Sequence, residues 1–221
     1  QLRMARAPPA DGREKPDFPS NSRPFTGGEA QEDDGRILIN EDGVLNEYFL
    51  PGAITVENDT KVEYRPKKRY YLMQKNTTDY SDVRNFYRPQ FPGKTFSVDI
   101  EMGGISCGCN LNFYLVNMPV PKPGEMGDHY CDGQCYPDSG CCSEFDMMEG
   151  NGNVLQTTNH ACTQNYPGHS SWRCDKWGNP MMKTTPAQFG FGKEIDSSQK
   201  FTFSMEFKQQ GLNFEVITTL S

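Results

Sequence analysis

From Gly35 onward the chain sets short runs of aliphatic, aromatic and β-branched residues between turn-forming Gly, Pro, Asn and Asp. Two runs keep period-two alternation: Phe201, Phe203, Met205 and Phe207 alternate with Thr202, Ser204 and Glu206, and Phe96, Val98 and Ile100 with Ser97, Asp99 and Glu101. Successive side chains on a strand point to opposite faces, so each of these strands buries one face. Eleven strands are predicted in all, over 36–40, 47–50, 53–56, 61–64, 69–73, 94–101, 111–118, 143–149, 154–158, 200–207 and 212–219. No segment carries a helical repeat. Many short strands without crossover helices predict an all-β fold over residues 35–221, an antiparallel two-sheet β-sandwich or jelly roll. Residues 1–34 hold five prolines, scattered charges and the acidic run Glu32-Asp33-Asp34, and are expected to form a flexible leader.

Composition narrows the class. In 221 residues there is no run near the roughly 18 apolar residues that a membrane-spanning helix needs. A net charge of −7 without a basic block argues against nucleic acid as a partner, because phosphate binding rests on clustered Lys and Arg. With 14 Phe and 10 Tyr, wholesale disorder is excluded. All eight cysteines lie between Cys107 and Cys174, including the adjacent pair Cys141 and Cys142, which indicates disulfides formed in an oxidising compartment. Two glycosylation sequons, at Asn58 and Asn76, agree with a secreted protein. The absence of an apolar segment at the start is consistent with a processed N-terminus. A structural zinc on Cys131, Cys135, Cys141, Cys142 and His160 competes with disulfides. It is disfavoured, since adjacent ligands fit a tetrahedral site poorly.

One strand is informative on its open face. Leu111, Phe113 and Leu115 share the face expected to be core, which leaves Asn112 and Tyr114 on the other, as groups suited to meet a sugar. The strand Cys141-Cys142-Ser143-Glu144-Phe145-Asp146-Met147-Met148-Glu149 then places three acids within six residues. In a regular strand Glu144 and Asp146 share a face and Glu149 points away. A β-bulge after Asp146 would return Glu149 to their side, and bulges are common beside active sites. Paired carboxylates are what retaining glycoside hydrolysis requires: one attacks the anomeric carbon, the other protonates the departing oxygen and then activates water. A third acid between them can hold the charge of the nucleophile and separate the two pKa values.

The segment 141–151, Cys-Cys-Ser-Glu-x-Asp-x-x-Glu-Gly-Asn, resembles the catalytic signature of glycoside hydrolase family 7, the cellobiohydrolases and endoglucanases that cleave β-1,4-glucan. Residues 69–73, 96–100, 105–110, 113–118, 130–135 and 160–162 agree with the same family in order. The resemblance implies a concanavalin A-like jelly roll. It implies Glu144 as nucleophile, Asp146 as assisting acid and Glu149 as general acid/base, with Tyr114, Asp132, Gln134 and His160 beside the cleaved bond. It also implies that Cys131 and Cys135 bridge to Cys141 and Cys142, and Cys162 to Cys174. No metal or organic cofactor is implied. The expected partner is a β-glucan polysaccharide or oligosaccharide.

Three departures matter. Only five residues separate Cys135 from Cys141, where tunnel-forming members carry a long loop, so an open cleft and internal cleavage are expected. The resemblance stops before the family's closing strands, which marks the chain as a short or C-terminally incomplete member whose sheet a second chain or further segment would complete. Cys107 and Cys109 are left without obvious mates, and Trp172 and Trp177 are the two tryptophans available to stack on sugar. Two rival expectations follow: a catalytically silent glycan-binding or structural domain of the same fold, and β-1,3-glucanase specificity as in family 16. The run Gly104-Ile-Ser106-Cys-Gly108 matches a nucleophilic-serine motif but lacks its strand-turn-helix setting.

Overall fold

In the computed structural model, the described residues are 2–6, 35–63, 67–102, 105, 109–119, 128, 130–135, 140–163, 174–179, 181–211 and 213–221. Their strands are β1 (Leu2–Arg6), β2 (Arg36–Glu41), β3 (Val44–Phe49), β4 (Ile54–Val56), β5 (Lys61–Glu63), β6 (Thr95–Ile100) and β7 (Leu111–Val116). There follow β8 (Glu144–Asn151), β9 (Val154–His160), β10 (Met181–Lys183), β11 (Phe189–Gly190), β12 (Ile195–Asp196), β13 (Phe201–Gln210) and β14 (Asn213–Leu220). The one helical element among the described residues is a 3-10 turn at Val83–Asn85, capped by the Asp82 carboxylate.

The chain falls into two compact units, one made of Gln1–Pro9, Pro89–Pro119 and His129–Ser221, the other of Ala10–Arg88 and Val120–Asp128. The first unit holds two four-stranded sheets, ordered β1-β14-β13-β6 and β10-β9-β8-β7. Every pairing in them is antiparallel except β1 with β14, which is parallel. That pairing places Leu2–Arg6, within the stretch expected as a flexible leader, in a strand; residues 7–34 lie outside the described ones.

Between the sheets lies an apolar core. Phe201, Phe203, Met205 and Phe207 of β13 face Leu111, Met147, Met148 and Leu155 of the other sheet, with Ile100 and Leu220 joining them. This is the face that period-two alternation selects. Aromatic rings fill it, with Phe91 stacked on Phe207 at 4.6 Å and Phe189 edge-on to Phe201 at 5.4 Å. Flat and edge-to-face contacts of this kind add to the burial of apolar area that drives the sheets together.

The second unit carries the hairpins β2–β3 and β4–β5. The strand expected over 69–73 does not form. Met73 alone bridges Phe49 and Phe86, because the polar run 74–79 turns the chain away after a single pairing on each side. Here the Glu41 carboxylate accepts hydrogen bonds from the hydroxyls of Tyr48 and Tyr87 and from Asn46. Asn58 and Asn76, the sequon residues, are both exposed in this unit.

Candidate active site

The site grows out of the hairpin β8–β9. Gly152 and Asn153 form its two-residue turn, and the Asn151 side chain accepts from the Asn153 amide at 2.9 Å. Gly150 is required beside it, since a Cβ there would lie 2.2 Å from the Val154 carbonyl oxygen. From this turn the register runs Glu149 opposite Gln156, then shifts, so that Asp146 stands opposite Thr158 and Glu144 opposite His160. On the other edge, Asn112 pairs with Glu149, Phe113 with Met148, Tyr114 with Asp146 and Val116 with Glu144. The shift is the bulge expected after Asp146. Directly paired residues share a face. Glu144, Asp146 and Glu149 therefore stand in one row, between Asn112 and Tyr114 on β7 and His160, Thr158 and Gln156 on β9.

The bulge has a physical cause in the core. Met147 and Met148 are both buried among apolar residues, which pulls two consecutive side chains to the core side of β8. The Met147 carbonyl accepts instead from the buried Thr157 hydroxyl at 2.8 Å. A buried carbonyl without a partner costs about 1–3 kcal/mol, so this bond holds the bulge where it is.

Around Glu144 the site is closed and crowded. Glu144 and Asp146 are both buried. The Gly133 amide donates to Glu144 Oε2 at 3.1 Å, and a Cβ on Gly133 would lie 2.8 Å from His160 Cβ, so glycine lets the backbone reach this carboxylate. Asp132, also buried, accepts from the Tyr130 hydroxyl at 2.8 Å and the Gln134 amide at 2.7 Å. The bridges Cys131–Cys142 and Cys135–Cys141 tie this segment to the start of β8. A third, Cys162–Cys174, anchors the loop in which the Asp175 carbonyl meets His160 Nδ1 at 2.7 Å. The pairings match those implied by the family resemblance, and they occupy the cysteines of the zinc alternative. Cys109 is exposed, whereas Cys107 and Trp172 lie outside the described residues.

Charge is compressed into this corner. Burial pushes the Glu144 carboxyl up; the Gly133 amide opposes it, Asp132 and Glu149 add to it, and His160 lowers it again. Asp146 is pushed up to about 8, first by burial, then by the charges of Glu144, Glu149 and Asp132 and by its hydrogen bond with Glu144. Its Oδ2 lies 3.1 Å from His160 Nε2. With His160 Nδ1–H directed at a carbonyl, that contact needs a proton between the two atoms. Donor atoms of Glu144, Asp146 and His160 lie within 4.8 Å of one another, close enough to hold a metal ion.

The structure brings together Asn112, Tyr114, Asp132, Glu144, Asp146, Glu149 and His160. Gln134 is exposed, with its side-chain amide 3.4 Å from the Lys176 carbonyl oxygen. Tyr114 meets Tyr130 edge-on at 6.3 Å. The Asn112 Oδ1 and Thr158 Oγ1 atoms are buried without a hydrogen-bond partner. Trp177 is 79 % exposed, so it does not serve as loop packing. Sequence reasoning missed four contributors: Gly133, Thr157, and the two amides on Glu149, Asn110 at 3.3 Å and Gln156 at 3.1 Å. The Gly152-Asn153 turn signal fixes the register that would have found Gln156.

No protein-family model matches the chain. It is 30% identical over 176 residues to endoglucanase type C of Fusarium oxysporum, covering 63% of this chain and 39% of that protein. Among solved structures it is similar to an endoglucanase I complexed with cellobiose, at 25% identity and a TM-score of 0.52, over 64% of this chain and 43% of that one. A GH7 family cellobiohydrolase from Daphnia pulex shares the fold, at 20% identity and a TM-score of 0.51, over 74% of this chain and 47% of that one. The chain spans less than half the length of the curated relatives it matches.

Proposed function

We propose that this chain, a partial-length relative of glycoside hydrolase family 7, is a secreted retaining endoglucanase that cleaves internal β-1,4-glucan bonds in an open cleft. The observation that carries the reading is the bulge in β8, which sets three acids in a row on one sheet face. Glu144 attacks the anomeric carbon as Glu149 gives its proton to the departing glycosidic oxygen. Glu149 then takes a proton from water, whose oxygen displaces Glu144 from that carbon. Asp146, protonated up to about pH 8, keeps two neighbouring negative charges from meeting. Tyr114, Asn112, Asp132 and His160 surround the acids as sugar-facing or supporting groups, with Gln134 exposed beside Asp132 as a further sugar contact.

Several findings support this assignment. The endoglucanase relatives favour internal cleavage, and the cellobiose in the similar solved structure favours a β-glucan ligand. The disulfides agree with secretion. In the test, Glu144→Gln abolishes release of reducing sugar from carboxymethyl-cellulose while cellotetraose still binds. Wild-type protein that binds cellotetraose yet releases no reducing ends contradicts the reading and establishes the silent glycan-binding alternative. Activity confined to laminarin moves the specificity to β-1,3-glucan.

A further inference from the structure

We propose that Gln156 is a positioning residue that assigns different tasks to the two oxygens of Glu149, holding Oε2 and leaving Oε1 to carry the catalytic proton. The inference rests on the double displacement proposed above. Glu149 stands beyond the bulge, directly opposite Gln156 on β9. Gln156 Nε2 donates to Glu149 Oε2 at 3.1 Å, whereas Oε1 is met at 3.3 Å by Nδ2 of Asn110. The two amides differ in setting. Gln156 is half-buried within a strand whose register the two-residue turn fixes, while Asn110 is exposed and precedes β7.

An unprotonated carboxylate accepts both bonds, but a carboxylic acid keeps only one oxygen free of hydrogen. The oxygen that stays an acceptor at every stage is the one facing the strand-held amide, Oε2. The oxygen that must exchange its proton is then Oε1, whose exposed partner a sugar can displace. In the first step the Oε1 proton passes to the glycosidic oxygen, the bond between that oxygen and the anomeric carbon breaks with its electron pair leaving on the oxygen, and Glu144 bonds to the carbon. In the second step Oε1 takes a proton from water as the water oxygen bonds to the carbon and the bond to Glu144 breaks. Through both steps Gln156 keeps the carboxyl plane aimed, where a small misplacement costs rate.

Gln156→Met in the full chain keeps the length of the side chain and removes the amide. Two substrates separate aim from architecture: cellotetraose, whose leaving oxygen needs a proton, and 2,4-dinitrophenyl β-cellobioside, whose leaving group does not. The expected result is a drop of about tenfold in kcat/KM for cellotetraose, carried by kcat with KM little changed, and less than about twofold for the dinitrophenyl substrate. Equal losses on both substrates make Gln156 merely structural, and no loss on either gives it no part; each overturns the proposal while the glucanase reading stands. Wild-type protein that turns over neither substrate overturns both.

Discussion

The two halves of β8, on either side of the bulge, hold acids in contrasting ways. Before the bulge, Glu144 and Asp146 are buried, crowded by Asp132 and His160 and fixed through neighbouring disulfides, so burial and like charge raise both carboxyls. Beyond it, Glu149 is half-buried and held by two side-chain amides from β9 and the β7 approach. One strand thus supplies two environments, and the extra residue at the bulge both separates them and returns them to a common face. Under the proposed double displacement, a nucleophile that must stay placed and an acid/base that must exchange protons with the leaving group and water call for this division.

The largest break in that comparison is expected from Glu144→Gln. Activity on carboxymethyl-cellulose should fall by at least about three orders of magnitude without loss of fold, measured as reducing sugar alongside circular dichroism. Opening the disulfide end comes next. The double variant Cys131→Ser/Cys142→Ser releases a cross-link between residues 11 apart and should cost about 3 kcal/mol in urea unfolding. Thr157→Val leaves the Met147 carbonyl unpaired in the core. It should cost about 1–3 kcal/mol and lower kcat, because the bulge that aligns the two halves loses its anchor. The smallest effect is one of pH. As pH rises through about 8, Asp146 ionises beside Glu144, and wild-type activity should decline there, whereas Asp146→Asn should lack that decline. The same raised carboxyl binds its proton more tightly folded than unfolded. Its contribution to stability is therefore full below the unfolded carboxylate range, about 4, and is lost as pH rises toward about 8. The melting temperature of Asp146→Asn should vary less over that window than that of the wild type.

Much of this was legible in the sequence, for reasons that differ from place to place. Phe201 to Phe207 announced their buried face because the period of a strand is two and the core takes every second residue. The bulge was legible only as a requirement: three acids had to share a face, and a regular strand could not place them so. What the sequence did not show was why it sits at Met147, since that depends on a hydroxyl ten residues away in a neighbouring strand. Residues 69–73 look like a strand by composition, yet a ladder needs a partner of matching length, and Met73 finds only single pairings. Leu2–Arg6 was missed for the converse reason. Five residues ahead of a proline-rich stretch carry too little pattern to declare a strand that another strand then provides for. Gln156 and Asn110 escaped because a lone amide has no signature until register places it against a carboxylate.

The account turns on Glu144 attacking the anomeric carbon. Its most direct test is to trap the covalent intermediate with 2,4-dinitrophenyl 2-deoxy-2-fluoro-β-cellobioside and map the labelled peptide by mass spectrometry. A 2-deoxy-2-fluorocellobiosyl ester on Glu144, slowly released on dilution, is the predicted result. A label on any other residue would contradict it, as would a chain that releases inverted product and carries no label.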